Sequence, residues 1–123
     1  PLNGVDQTTP AGTAVTGTNT GDPITSSVTD SVAGDLICDV VSHTQLGGTF
    51  VAGAGQTEIA KVTNYGGTNR AGGISTKPGA AGSQTMSWTP SSSDNWCQVA
   101  VAVKQAAASI VSRVPLLDLL GVS

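Results

Sequence analysis

Two cysteines, one histidine and a few scattered carboxylates carry most of the chemistry this chain could perform. Cys38 sits in the run LICDVVSH (36–43) and Cys97 in CQVAVAV (97–103), both strand-like stretches. A side-chain period of two puts Cys38 on one face with Leu36 and Val40, and Cys97 with Val99, Val101 and Val103. Both faces read as inward, which predicts a Cys38–Cys97 disulfide tying an early strand to the last one. In the chain-entropy model, closing a loop of nearly sixty residues contributes about 4 kcal/mol. Such bonds persist where the surroundings are oxidising, so the pair predicts a secreted or cell-surface protein.

His43 is the only histidine, and it shares a strand face with Asp39. Four residues of extended chain separate the two by about 13 Å, too far for a hydrogen bond. No Gly-x-Ser-x-Gly elbow accompanies them, so His43 reads as a strand-end polar residue. Zinc needs three or four nitrogen or sulfur ligands, more than one histidine and two oxidised cysteines supply. The residues therefore predict no catalytic site, no metal centre and no enzyme. Loops bearing Asp6, Asp22, Asp30, Asp35 and Asp94 leave a bound calcium open, although no Asp-x-Asp-x-Asp-Gly run exists and turn-forming roles are simpler. Gly47-Gly48 and Gly72-Gly73 lack the Lys-Ser/Thr of a phosphate loop. A sugar platform would draw on Tyr65 and Trp96, which flank loop segments. The competing role for Trp96 is core, as it is for Trp88, which alternates with Met86.

These residues must be positioned by strands. Charged residues are 11% and aromatics 3% of the chain, and 16 glycines lie among many Thr, Ser and Ala, a mixture that favours strands and tight turns over helices. The 123 residues suffice for one core. A net charge of −3 with dispersed Lys and Arg predicts no nucleic-acid partner, and no apolar run reaches the roughly 20 residues of a membrane span. Ile24, Ser26 and Val28 alternate with Thr25 and Ser27 as in a half-exposed strand. The segment 36–42 is apolar on both faces and reads as a central strand. Glu58, Ala60 and Val62 alternate again, and the glycine-weakened stretch 70–76 reads as an edge or bulged strand. Short strands with turn signals every eight to twelve residues or so predict an all-β fold, an antiparallel β-sandwich of jelly-roll or immunoglobulin-like type.

Three stretches, 3–10 (NGVDQTTP), 33–43 (AGDLICDVVSH) and 79–104 (GAAGSQTMSWTPSSSDNWCQVAVAVK), resemble a repeat-type, concanavalin-like β-sandwich module of large secreted bacterial surface proteins. The resemblance implies surface display, adhesion or structural work without an assigned catalytic site. In that family several strands precede the first stretch; here they are missing. The chain also begins at Pro1 without an initiator Met, which reads as a processed product or a fragment.

The sandwich is expected over 1–105 and a tail over 106–123. The tail is leucine-rich, and Val114, Leu116, Leu117, Leu119, Leu120 and Val122 are its candidate assembly residues, packing on their own domain or on a neighbouring subunit. The functional expectation is a non-catalytic structural subunit of an extracellular assembly (filament, sheath or adhesin stalk), self-associating as a homo-oligomer or polymer through sheet edges and the tail. The alternative is a carbohydrate-binding module with a polysaccharide partner.

Overall fold

The computed structural model describes residues 4–44, 49–63 and 70–107. Tyr65 and the tail from Val114 to Val122 lie outside them. Among the described residues there are eight strands and no helix: β1 (Val15–Thr20), β2 (Ile24–Val28), β3 (Leu36–His43), β4 (Phe50–Ala52), β5 (Thr57–Val62), β6 (Ala71–Pro78), β7 (Gln84–Pro90) and β8 (Asn95–Val103). They form two antiparallel sheets, a five-stranded one in the order β1-β8-β3-β6-β5 and a three-stranded one in the order β2-β7-β4. The all-β, two-sheet expectation holds, and β3 is the central strand of the larger sheet. The stretch expected at an edge, β6, instead lies between β3 and β5, and the bulge falls on β5 at Glu58–Ala60.

The sheets pack across two apolar clusters. One joins Ile24, Phe50 and Trp88 of the smaller sheet to Val41 and Ala71 of the larger; the other joins Val28 and Met86 to Ile37, Ala100 and Ala102. Large side chains from one sheet meet small ones from the other, which lets the two layers interdigitate. Gly73 makes the closest such fit: a Cβ there would collide with the Trp88 ring.

Between the clusters lies a polar layer centred on Asp39, 1% exposed. Its Oδ1 accepts hydrogen bonds from the Ser75 amide (3.0 Å) and hydroxyl (2.6 Å), and its Oδ2 from the Trp88 indole (2.8 Å) and the Gln98 amide (2.7 Å). Gln56 extends the layer, donating to Ser75 Oγ and accepting from the Ser87 amide. A buried charge is tolerated only when donors replace its lost water. The four donors come from β6, β7 and β8, so Asp39 on β3 ties both sheets together.

Candidate interaction surface

Which face of each strand turns inward decides what the molecule offers a partner. On β3, Ile37, Asp39, Val41 and His43 are buried, whereas Leu36 and Val40 are exposed and Cys38 is half-buried; on β8, Gln98, Ala100 and Ala102 are buried, Cys97 and Val99 exposed, and Val101 half-buried. Both strands therefore point the opposite way from the sequence expectation. The faces assigned to the core are the outer surface of the five-stranded sheet.

The disulfide is corrected with them. Cys38 pairs in register with Val101, and Cys97 with Ser42. The cysteines thus lie on neighbouring strands four residues apart, about 13 Å along the sheet, well beyond the Cα separation of at most about 7 Å that a disulfide allows. Both thiols are free. Burial, reinforced by the neighbouring Asp39 carboxylate, raises the Cys38 thiol above its usual range.

Three rows of paired residues cross the central strands of the outer face. Val99, Val40 and Ile74 form one row, Val101, Cys38 and Thr76 the next, and Val103, Leu36 and Pro78 the last. Val40 is 55% exposed, Val99 46%, Leu36 44% and Ile74 41%. Ala60 and Val62 of β5 continue the apolar surface beside Ile74 and Gly72. Two shallow depressions mark it, one of about 220 Å³ among Val40, Ile74, Ala60, Val62 and Lys61, the other of about 320 Å³ among Leu36, Cys38, Val103, Val5 and Lys104. No charged side chain belongs to these rows. The outer face of the three-stranded sheet is built from Thr25, Ser27, Thr85, Ser87 and Thr89, with Val51 exposed beside Thr89 on its β4 edge, and there Ser27 and Thr85 hydrogen-bond across strands. The same alternation thus gives one outer face that is mostly hydroxyl-bearing and one that is apolar along its centre, bordered by Thr16 and Thr18 of β1 and by Ser42.

The remaining candidates fall at the two ends of the sandwich. Asp6, Asp30 and Asp35 gather at one end around Lys104, whose ammonium lies 3.3 Å from the buried Asp35 carboxylate and donates to the Asp30 carbonyl. Burial alone would raise the Asp35 pKa, but the Gln105 and Val32 amides and Lys104 outweigh it and hold the carboxyl below its usual value. Asp6 is held low by the Thr9 and Thr8 amides. Asp22 and Asp94 lie at the opposite end, near His43. Among the described residues, no three His, Cys, Asp or Glu side chains are placed to hold a metal ion.

His43 is 1% exposed and stacks on Phe50 with ring centroids 6.0 Å apart. Burial lowers its pKa, opposed by Asp94 and Asp22. It sits four residues from Asp39 on the inner face, and neither ring nitrogen has a hydrogen-bond partner among the described residues. Trp96 is half-buried, packs against the core cluster of Phe50 and Trp88, and lays its ring over Gly17, where a Cβ would stand 3.0 Å from it. Its exposed part borders a depression with Thr18, Asn19, Thr20 and Asn95. Sequence reasoning grouped the Val, Leu and Cys residues of β3 and β8 correctly but gave their face the wrong side. It missed Asp39, Ser75, Gln56 and Gln98 as a joined network.

No family model, curated protein or solved structure matches this chain. Among the described residues, no helix is long and apolar enough to cross a membrane.

Proposed function

We propose that the chain is a non-catalytic structural module of an extracellular assembly, such as a filament, sheath or adhesin stalk, and that it works by burying the outer face of its five-stranded sheet against copies of itself. The observation that carries this reading is the contrast between the two outer faces: one is Thr and Ser with a single Val51, and the other carries contiguous rows of Val, Leu, Ile and Cys along β8, β3 and β6 with Thr16 and Thr18 at its β1 border. A contiguous apolar surface whose charges, here Lys61 and Lys104, stand at its rim marks an interface rather than a solvated face. The Asp39 carboxylate supports the non-catalytic part, since its two oxygens each accept two hydrogen bonds and are committed to the core. We read the strand order as a jelly roll, because consecutive strands change sheets at every step except β5 to β6 and β1 lies beside β8, as two Greek keys require. That reading agrees with the resemblance to surface-protein modules. The extracellular setting now rests on that resemblance and on composition, since the disulfide is absent.

Assembly through the face fits better than assembly through the β5 edge. That edge carries a bulge and a Lys61–Glu58 ion pair at 3.0 Å, two devices that discourage strand addition. The carbohydrate-binding alternative draws on Trp96 beside Asn95 and Thr18, yet a ring laid over Gly17 offers only part of its surface to a sugar. Sedimentation of the full chain under reducing conditions tests the proposal: Val40→Lys and Val99→Lys should abolish a concentration-dependent association. Association that ignores both substitutions would overturn it.

A further inference from the structure

We infer that the contact made by the apolar face is isologous: two copies pack the outer faces of their five-stranded sheets together about a two-fold axis, and this contact closes at two, the pair being the unit that a second, separate contact would build into a longer assembly. This rests on the face-burial reading above and adds which surface of the second copy is engaged.

The argument turns on what the rest of the molecule has to offer that face. In a head-to-tail stack, the apolar rows of Val99-Val40-Ile74 and Val103-Leu36-Pro78 would press against the outer face of the three-stranded sheet. Thr25, Ser27, Thr85 and Thr89 project there beside a single exposed Val51, and covering the hydroxyls with Val and Leu would remove water without returning hydrogen bonds. The two ends carry Asp6, Asp30, Asp35 and Lys104 on one side and Asp22, Asp94 and Arg70 on the other, and these charges would be desolvated by an apolar partner. Among the described surfaces, only the same face on a second copy offers contiguous rows of Val, Leu and Ile; the other exposed apolar side chains, Val32, Val51 and Ile59, lie apart on a loop, on β4 and on β5. A surface that is its own best complement pairs by two-fold symmetry, with residue i on one copy meeting j on the other and the reverse.

The dimensions permit it. Three strands of eight or nine residues flanked by two of six, at about 4.8 Å between strands and about 3.3 Å per residue, cover roughly 570 Å² per copy. That is about 1,100 Å² in all, just above the roughly 1,000 Å² a specific interface needs. Sheet faces of this kind pack about 10 Å apart with interleaved side chains. Cys38 and Cys97 would lie within the seam.

The experiment is sedimentation equilibrium of the full chain, in reductant, over a wide concentration range, with substitutions on both outer faces. Val40→Lys charges the apolar face at an exposed position, and Thr25→Lys and Thr89→Lys charge the opposite one at exposed positions, so each variant should keep its fold, checked by circular dichroism. The expected result is a mass that levels at two copies, a dissociation constant raised about a hundredfold or more by Val40→Lys, and no comparable change from Thr25→Lys or Thr89→Lys. Growth beyond two copies that is lost in variants of both faces would overturn the isologous contact while leaving face burial standing. A monomer at all concentrations, or association unaffected by Val40→Lys, would overturn both.

Discussion

Replacing Asp39 by alanine should be among the most damaging single changes available to this fold, and the cost can be worked from its hydrogen bonds. Four donors converge on the carboxylate, at 3.0, 2.6, 2.8 and 2.7 Å. The Gln98 amide and the Ser75 hydroxyl can turn about their side-chain bonds. The Ser75 main-chain amide and the Trp88 indole cannot, one fixed by the strand and the other by a fully buried ring packed on Gly73. At about 1.5–3 kcal/mol for each hydrogen bond to a charged acceptor, those two alone imply a loss of about 3–6 kcal/mol. A domain of this size has only about 5–15 kcal/mol in total. Urea unfolding followed by tryptophan fluorescence would read the loss as a lower midpoint at constant slope. Asp39→Asn separates charge from volume: it leaves no cavity but turns an NH₂ group toward two of the donors, so it should cost several kcal/mol as well. If both variants lie within about 1 kcal/mol of the parent, the polar layer does not hold the sheets together as described.

Three further outcomes follow from other parts of the structure. His43 is buried with its folded-state pKa below the ordinary 6.5, so the unfolded chain binds more protons and stability, full above about pH 6.5, should fall as pH drops through that value; melting temperatures at pH 7.5 and 5.0 should differ more for the parent than for His43→Phe, and an equal difference would refute it. The lowered carboxyls of Asp6, Asp35 and Asp94 contribute stability that is lost only below their ordinary 3.8, outside that window. Gly73→Ala should destabilise by about 1–3 kcal/mol because the Trp88 ring occupies the space a Cβ needs, whereas Gly72→Ala, with its nearest obstacle the Val41 carbonyl at 3.3 Å, should cost less; equal effects in thermal melts would count against the packing described. Both cysteines should react as free thiols in the unfolded chain without prior reduction, and reductant should leave the melting temperature unchanged; a marked drop would mean that a disulfide forms after all.

Much of the architecture was legible because alternation and turn residues act locally. The pattern of Ile24, Ser26 and Val28, the core pair Met86 and Trp88, and the central place of residues 36–42 all follow from side-chain periodicity and apolar content. Sidedness did not follow. On β3 and β8 both faces are apolar, and a period of two sorts residues into faces without saying which one meets the other sheet. The bulkier stripe of Val99, Val101 and Val103 looked like core, but Trp88 and Met86 fill the interior so fully that the larger sheet turns its small residues, Ala100, Ala102 and Gly73, toward them. The cysteines went wrong for the same reason. Their shared face was correct, yet register alone sets their spacing, and register depends on which strands are neighbours. The Asp39 layer was hidden because Ser75, Trp88 and Gln98 lie 36 to 59 residues away in sequence and carry no local signature.

The most direct test of the central claim, that association covers the outer face of the five-stranded sheet, uses the exposed Cys97 as a built-in reporter. Its rate of reaction with dithionitrobenzoate would be followed in freshly reduced, full-length protein carrying Cys38→Ser, from dilute to concentrated solution, beside the same protein with Val40→Lys. Burial of the face predicts a labelling rate that falls as concentration rises and a Val40→Lys rate that stays high throughout. A rate independent of concentration, in a protein that sedimentation shows to be associated, would place the contact elsewhere and contradict the claim.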